Sequence, residues 1–203
     1  MADISDRKAD HIALALQSGH QAQKDSGFDR VNFEPNSLPQ LALDEIVLAS
    51  NFLGMETAAP FLIGAMTGGC DNAERINQHL AEAAQAANIP MALGSQRAAL
   101  ELGMLQNIRR WAPSAILLGN LGATQLQQHG LDLAQRAVDS IQANGLVIHL
   151  NPLQELIQPN GDRDWNLVLE AIQHCALKLP VPIIVKEVGA GIGPGSAKRL
   201  LDA

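Results

Sequence analysis

The stretch Leu146-Val-Ile-His-Leu-Asn-Pro-Leu-Gln-Glu155 is the most informative part of the chain, because it predicts a buried strand that becomes polar toward its C-terminal end. Successive strand side chains point to opposite faces. One face is wholly apolar, as a covering layer of helices requires, and carries Leu146, Ile148 and Leu150. The other face carries Val147, His149 and Asn151, and Gln154 and Glu155 follow in a predicted loop. Since α/β enzymes bind ligands at the carboxyl ends of parallel strands, this stretch predicts a functional site.

Four other apolar runs repeat the strand signal. The predicted strands are Phe61–Met66, Met91–Gly94, Ala115–Leu118, Leu146–Leu150 and Val181–Val185. Their starts lie 30, 24, 31 and 35 residues apart, and the amphipathic stretches between them lie near 72–88, 101–111, 124–143 and 163–178. A strand, a helix and two short loops fill such an interval, so the spacing predicts right-handed βαβ units and a parallel sheet.

Polar residues at the strand ends favour a TIM (β/α)8-type barrel over a doubly wound sheet, because only a barrel brings every strand end to one mouth. These residues are Thr67, Ser95, Asn120, Asn151 and Lys186. Residues 61–203 hold about five βα units, and eight would need about 80–90 more residues. We therefore expect a partial barrel over 61–203 that lacks its C-terminal units, and a truncated chain. The tail from Gly195 is predicted to be helical.

Residues 1–60 are predicted to form a separate N-terminal helix and arm that covers the substrate. Ser5 could cap a helix running to about Gln17. The arm that follows is irregular, and Glu45–Leu48 is its best candidate for a short strand.

Composition restricts the class of protein. The chain has 203 residues, 47% of them hydrophobic, and a formal net charge of −7. That charge argues against a nucleic-acid surface, and no apolar run is long enough for a membrane span. Cys70 and Cys175 offer neither a disulfide framework nor metal-ligand spacing. A cytoplasmic protein with no membrane partner is the expectation.

Cations at three places are candidates for holding an anion. Arg7-Lys8-x-x-His11 gathers its side chains on one helical face, where cations in the first turn oppose the helix dipole at about 0.3–1 kcal/mol each. Ser95, Gln96 and Arg97 follow the second strand, where a hydroxyl, an amide and a guanidinium in series can hold a phosphate, the guanidinium with two hydrogen bonds. Lys186 lies among β-branched residues, where an unpaired lysine is seldom buried. Anion binding would explain all three.

The carboxylate of Glu155 has two possible roles. It could bind Mg²⁺, which commonly takes one or two carboxylates together with substrate phosphates. It could instead be a general base. The spacing of the residues does not decide between these roles.

An ordered set of motifs resembles the type 2 isopentenyl diphosphate isomerases, which are FMN-dependent enzymes on an eight-stranded α/β barrel. The motifs are Arg7-Lys8-x-x-His11, Gly64-Ala-Met-Thr-Gly-Gly69, Gly94-Ser-Gln-Arg97, Gly119-Asn120, His149-Leu-Asn-Pro-Leu-Gln-Glu155 and Lys186-Glu-Val-Gly189. The glycine-rich region with which later strands of that family hold the flavin phosphate has no counterpart here.

This resemblance implies reversible isomerisation of isopentenyl and dimethylallyl diphosphate in isoprenoid biosynthesis, with reduced FMN, Mg²⁺ and NADPH as reductant. The implied flavin-binding residues are Ala65, Met66, Thr67, Ser95, Asn120 and Lys186. The implied substrate-binding residues are Arg7, Lys8, His11, Ser95, Arg97, His149, Asn151 and Gln154. The implied catalytic residues are His149, Gln154 and Glu155, and Glu155 is the implied Mg²⁺ ligand. The flavin itself would move the proton, and the protein would be a homotetramer or homo-octamer.

Two alternatives stay open. One is another FMN-dependent barrel, an oxidoreductase of the α-hydroxy-acid oxidase type. The other is a non-catalytic half-barrel that needs a partner to cover its open edge. If the isomerase resemblance holds, the 203 residues alone are expected to bind FMN poorly and to be inactive.

Overall fold

The computed structural model describes residues 27–65, 73–104, 106–158 and 161–203, together with Gln17 and Gly19. Several sequence predictions lie outside the described residues. They concern Arg7, Lys8, His11, Met66, Thr67, Cys70 and the N-terminal helix.

A four-stranded parallel sheet in chain order forms the centre of the described fold. Its strands are β3 (Met91–Ala92), β4 (Leu117–Gly122), β5 (Gly145–Leu150) and β6 (Ile183–Glu187), preceded by the antiparallel hairpin of β1 (Ser50–Phe52) and β2 (Met55–Thr57). Ile63 adds an isolated parallel bridge to Met91. Strands added one after another in parallel are the arrangement of a barrel wall, so the predicted partial (β/α) barrel is confirmed.

Helices follow the strands as the spacing predicts. They are α1 (Ala73–Ala87), α2 (Arg97–Glu101), α3 (Ile108–Trp111), α4 (Ala123–Ile141), α5 (Pro152–Ile157), α6 (Val168–Lys178) and α7 (Pro194–Leu201), with short 3-10 helices at Phe28–Arg30 and Leu43–Glu45. The predictions near 72–88 and 124–143 and the predicted helical tail are confirmed. Within α4, Gly130 has φ 63°, which marks a kink. No helix in this described part of the chain is long and apolar enough to cross a membrane.

The predicted helix over 101–111 is wrong, because the chain there forms two short helices. Gly103 has φ 62°, a left-handed conformation that ends α2. The Met104 N–H then donates to the carbonyl of Ala99 at 2.8 Å, and the Gly103 N–H donates to Leu100 at 3.4 Å. This is the hydrogen-bond pattern of a Schellman cap.

The predicted strand at Glu45–Leu48 is also wrong. The Glu45 carboxylate accepts the Ala42 N–H at 3.0 Å and closes a 3-10 turn there. The hairpin forms a few residues later because Leu53 and Gly54 both have positive φ, 53° and 81°. Two such residues in succession make the tight turn whose twist matches a β-hairpin.

Two strands, β4 and β6, extend further toward their carboxyl ends than the sequence predicts. β4 continues to Gly122, four residues past its predicted end, because Asn120 and Gly122 pair with Val147 and His149 of β5. Asn120 and Lys186 therefore lie inside strands rather than beyond them. Gln154 and Glu155, predicted in a loop, lie on α5, whose first residue Pro152 has the φ that a helix start requires.

The two faces of the sheet differ as the sequence predicts. The outer face, formed by Leu117, Leu121, Leu146 and Ile148, packs in one apolar cluster with helix residues such as Leu126, Ala134 and Ile172. The inner face, formed by Ala92, Leu118, Val147 and Ile184, makes a second cluster with Phe52, Leu53 and Met55 of the hairpin. The hairpin therefore covers the start of the inner face, at the amino edge where the strands begin.

Arg109 ties the amino edge together. Its guanidinium donates to the carbonyl oxygens of Ala115 at 2.8 Å and Ala112 at 3.0 Å. It also donates to the Gln142 carbonyl at 2.7 Å and to Asn144 Oδ1 at 3.2 Å. Burial lowers the pKa of Arg109, but a guanidinium stays protonated at neutral pH. One side chain thus joins the loops that enter β4 and β5.

Gln85 bridges the same edge from α1. Its Oε1 accepts the backbone N–H groups of Ser114 at 2.9 Å and Ala115 at 3.0 Å, and its Nε2 donates to the Ser114 hydroxyl at 2.8 Å. These contacts hold the segment that leads into β4.

Candidate functional site

The strand ends at the carboxyl edge place three residues side by side on the inner face. Strand register pairs Gly122 with His149 and His149 with Lys186. We call these three residues the mouth row. Partners in a parallel ladder point to the same side, so the apolar inner face ends in an imidazole and an ammonium group. The side-chain amine of Lys186 has no hydrogen bond or ion pair with the residues that the structure describes.

A side chain at Gly122 would collide with the Gln125 carboxamide, which would have to move. The same added Cβ would lie 3.2 Å from His149 Nε2. Because Gly122 has no side chain, the Gln125 carboxamide can occupy the space beside the His149 imidazole.

Asn120 lies one residue pair deeper than the mouth row and supports the imidazole of His149. Its side-chain oxygen lies 2.9 Å from His149 Nδ1, and its Nδ2 donates to the Leu93 carbonyl at 2.9 Å. Asn120 is only 3% exposed. Both ends of this buried amide are therefore occupied.

Gln96 is completely buried and holds the backbone of Asn120. Its Oε1 accepts the Asn120 N–H at 2.9 Å, and its own N–H donates to the Asn120 carbonyl at 2.9 Å. Its Nε2 donates to Gln106 Oε1 at 2.9 Å, Ser140 Oγ at 3.0 Å and the Ala137 carbonyl at 3.1 Å. Gln96 thus links β4 to α4.

Gly119 makes this approach possible. A Cβ at position 119 would lie 2.7 Å from Gln96 Oε1, closer than real Cβ contacts come. The Gly119-Asn120 pair is therefore explained by packing: the glycine admits the carboxamide that binds its neighbour.

The turn after β5 is closed by Glu155. One carboxylate oxygen accepts the Asn151 side-chain amide at 2.7 Å, and the other accepts the Asp162 N–H at 2.9 Å. Asn151 is 5% exposed. A carboxylate oxygen has two lone pairs, so each oxygen of Glu155 keeps one for a cation.

Asp162 gathers polar groups from three directions. Its Oδ2 accepts the Gln125 amide at 2.8 Å and the Thr124 hydroxyl at 3.2 Å, and it lies 3.5 Å from Arg97 Nη1. Arg97 also pairs with Glu101 at 2.8 Å. The cation predicted to hold a phosphate is therefore near the mouth row but is shared between two carboxylates.

Glu187 accepts a series of backbone N–H groups just past the end of β6. Its Oε2 binds the N–H groups of Gly189 at 2.6 Å, Ala190 at 2.5 Å and Gly191 at 2.9 Å. Burial alone would raise the pKa of Glu187, but these hydrogen bonds to the ionised form outweigh burial and lower it. The carboxylate fixes the loop that follows Lys186.

The structure therefore brings together part of the predicted site. Asn120, His149 and Lys186 converge on the inner face, while Asn151 and Glu155 meet beside it. Gln154 lies on α5 and Ser95 precedes α2, both partly buried. Ala65 packs against the inner cluster. The roles of these residues toward cofactor and substrate stay predictions.

Metal binding by Glu155 also stays a prediction. Among the described residues, no group of three or more His, Cys, Asp or Glu side chains forms a metal centre. A single carboxylate matches the way Mg²⁺ uses few protein ligands and completes its shell with water or phosphate.

Sequence reasoning missed the supporting residues. For Gln96 the sequence predicted a contact with phosphate and not a structural role, and Gln125, Asp162 and Glu187 received no role. The only signal in the sequence was glycine. Gly119 and Gly122 lie on opposite faces of β4, and a glycine on each face indicates that another group approaches the strand closely there.

Comparison with protein families matches residues 3–117 to the FMN-dependent dehydrogenase family. The chain is 52% identical over 202 residues to the isopentenyl-diphosphate delta-isomerase of Xanthobacter autotrophicus, covering 97% of this chain and 59% of the relative. The enzymes of that name from Stutzerimonas stutzeri and Synechocystis sp. are 48% and 46% identical, over 97% and 96% of this chain and 59% and 57% of their own lengths.

Solved structures support the fold. A mandelate oxidase variant with (S)-mandelic acid matches with a TM-score of 0.55 at 17% identity, over 77% of this chain and 49% of that one. A lactate oxidase of Pediococcus acidilactici matches with a TM-score of 0.52 at 16% identity, over 80% and 50%. At such identities the likeness concerns the architecture alone.

Proposed function

This chain belongs to the FMN-dependent dehydrogenase family, and from that premise we propose that the whole protein interconverts isopentenyl and dimethylallyl diphosphate. The observation that carries the proposal is the 52% identity over 97% of the chain to an enzyme of that name. The carboxyl edge would be the place of reaction.

The donor set at the carboxyl edge fits a flavin. Val147 and Ile184 give the inner face an apolar floor, as an aromatic ring system requires. Lys186 places a cation at the end of that floor, with no ion pair to the described residues. Together with Ala65 and Ser95, Lys186 would hold FMN, and Met66 and Thr67 are proposed to complete its site.

Reduced FMN, when bound, would supply the proton transfer at the substrate carbon. The protein would orient the substrate and neutralise its charge, which are the usual contributions of a protein that carries a cofactor. His149, Asn151 and Gln154 would face the diphosphate, joined by Arg97. Arg7, Lys8 and His11 of the N-terminal segment are proposed to cover it.

Mg²⁺ is proposed to bind Glu155. The hydrogen bonds from Asn151 and Asp162 fix both carboxylate oxygens and leave each a lone pair. A cation could therefore bind without breaking the turn, and diphosphate oxygens would complete its shell.

The chain spans about 59% of the length of the relatives it matches, so the activity is proposed for the whole protein. NADPH as reductant, a homotetramer or homo-octamer, and cytoplasmic location belong to the same proposal. Poor FMN binding and inactivity of the 203 residues alone stay predictions.

The oxidase alternative is weaker. Its support is a likeness of architecture at 16–17% identity, against about 50% identity to the isomerases. The two functions differ in redox balance: isomerisation leaves the flavin reduced, whereas oxidation of a hydroxy acid reduces an oxidised flavin.

The test uses the purified whole protein. With chemically reduced FMN, Mg²⁺ and isopentenyl diphosphate, we expect dimethylallyl diphosphate by NMR. With oxidised FMN and lactate or mandelate, we expect no bleaching of the flavin absorbance. Rapid bleaching by a hydroxy acid without isomerisation would overturn the proposal in favour of an oxidase.

A further inference from the structure

We infer that Gln96 and Asn120 are positioning residues that fix the tautomer of His149, with the proton on Nδ1. A neutral imidazole carries its proton on one nitrogen, and the hydrogen bond made by one nitrogen decides the role of the other. Backbone groups, whose donor and acceptor roles cannot change, determine how the Gln96 and Asn120 amides are oriented. These two orientations in turn determine which nitrogen of His149 carries the proton.

The first step is the orientation of the Gln96 side chain. Its two ends face the Asn120 N–H, which can only donate, and the Ala137 carbonyl, which can only accept. The oxygen must therefore face Asn120 and the nitrogen Ala137. A reversed amide would set two donors against each other at one end and two acceptors at the other.

The second step is the orientation of the Asn120 side chain. Gln96 binds both backbone groups of this residue, so its position on β4 is fixed. The neighbour at 2.9 Å from one end of its amide is the Leu93 carbonyl, an acceptor. That end must be the nitrogen, and the oxygen must face His149.

The third step follows at the imidazole. Asn120 Oδ1 lies 2.9 Å from His149 Nδ1 and can only accept. His149 Nδ1 must therefore donate, and in the neutral ring Nε2 is an acceptor. Because Asn120 is buried, water does not offer Nδ1 an easy substitute.

A consequence concerns the ligand and rests on the proposed function. Ionised diphosphate oxygens are acceptors, so they cannot pair with an unprotonated Nε2. A direct contact requires the imidazolium form, and the charged side chains that the structure describes along this edge include Lys186, Arg97, Glu155 and Asp162. Diphosphate binding through His149 would thus take up a proton.

The test is 15N NMR of the whole protein labelled at histidine, with His149 assigned by its loss in His149→Gln. At a pH where His149 is neutral, we expect Nδ1 to resonate as a protonated nitrogen and Nε2 as an unprotonated one. The opposite pattern in the wild-type protein would overturn the inference without any further variant.

Variants test the chain of contacts. In Asn120→Ala the Nδ1–H form should fall from the major to a minor species, because the acceptor is gone. Gln96→Leu should shift the populations in the same direction by less. The matched control is Gln85→Leu, which removes an amide that also bridges backbone N–H groups, but at the amino edge. Unchanged populations in folded Asn120→Ala would contradict the positioning role.

Adding isopentenyl diphosphate to the labelled protein distinguishes the tautomer assignment of His149 from its proposed contact with the diphosphate. Protonation of both His149 nitrogens on binding would support a direct contact. Binding that leaves a neutral Nδ1–H ring would overturn the diphosphate contact taken from the proposed function, while the tautomer assignment would stand.

Discussion

The two edges of the parallel sheet use similar chemistry for different ends. At the amino edge, Arg109 and Gln85 donate to or accept from backbone groups of loops that enter strands. At the carboxyl edge, Gln96 does the same for Asn120, but the contacts continue to His149, a side chain that can change its protonation. At the amino edge the contacts end in backbone groups, whereas at the carboxyl edge they end in the imidazole of His149.

The difference suggests a division of labour: contacts at the amino edge stabilise the fold, and contacts at the carboxyl edge also shape the candidate site. The hairpin covers the inner face at the amino edge, and Leu53 comes within 3.1 Å of a Cβ placed on Gly145. At the other edge the inner face ends in the mouth row. Substitutions at the amino edge should therefore change stability alone, and those at the carboxyl edge should also change the site.

The largest effect is expected for Arg109→Met. It leaves the buried carbonyls of Ala112 and Ala115 without a donor, and hydrogen bonds to a charged group contribute about 1.5–3 kcal/mol each. We expect a loss of about 3 kcal/mol in the free energy of unfolding, measured with urea. An unchanged urea midpoint would refute the structural role of Arg109. A changed His149 tautomer in the folded variant would show that substitutions at the amino edge also affect the site at the carboxyl edge.

Gly119→Ala should have the next largest effect. The new methyl group would press on Gln96 Oε1, and overpacking of this kind costs about 1–3 kcal/mol. Because Gln96 holds Asn120, we expect both a lower unfolding free energy and a greater share of the Nε2–H form of His149. Gly145→Ala is a control on the inner face at the amino edge, and its effect should be confined to stability.

Glu155→Gln should act on turnover. A carboxamide can accept only one of the hydrogen bonds from Asn151 and Asp162, and it is a weak Mg²⁺ ligand. We expect kcat/KM to fall at least about tenfold, or 1.4 kcal/mol, with a higher Mg²⁺ requirement and normal flavin retention. Equal activity across a Mg²⁺ titration would remove the metal assignment.

The smallest effect is expected at Glu187 and depends on pH. Its folded-state pKa is lowered because backbone hydrogen bonds favour the ionised form. The stabilisation is therefore present above the unfolded-state value of about 4.3 and is lost as pH falls through the folded-state pKa. Glu187→Gln should lose part of this acid dependence, measured by thermal unfolding between pH 7 and pH 3. The same slope in both proteins would contradict the role of the loop contacts.

The sequence predicts the sheet well because alternation and spacing are local signals. The two faces of Leu146–Leu150 are as expected, since period-2 burial depends only on which residues are apolar. The helix over 101–111 was wrong because one left-handed glycine, Gly103, outweighs an amphipathic pattern. The periodic pattern of apolar residues does not show where a helix ends and the chain changes direction.

The sequence predicts the polar side chains at the strand ends of the candidate site, but not the residues that support them. His149 and Lys186 were found because polar side chains at strand ends stand out against apolar neighbours. The supporting roles of Gln96 and Asp162 were not found, because their partners in β4 and α4 lie 24 to 44 residues away in the chain. Such contacts depend on tertiary packing, which a single sequence does not encode in any local pattern.

The most direct test of the account compares turnover of two variants of the whole protein, His149→Gln and Gln85→Leu. With reduced FMN, Mg²⁺ and isopentenyl diphosphate, we expect the carboxyl-edge variant to lose about 100-fold or more in turnover, because a group that stabilises the diphosphate charge is lost. The amino-edge variant, although less stable, should retain wild-type turnover per folded molecule. Equal losses in both variants, or full activity in His149→Gln, would contradict the claim that function resides at the carboxyl edge.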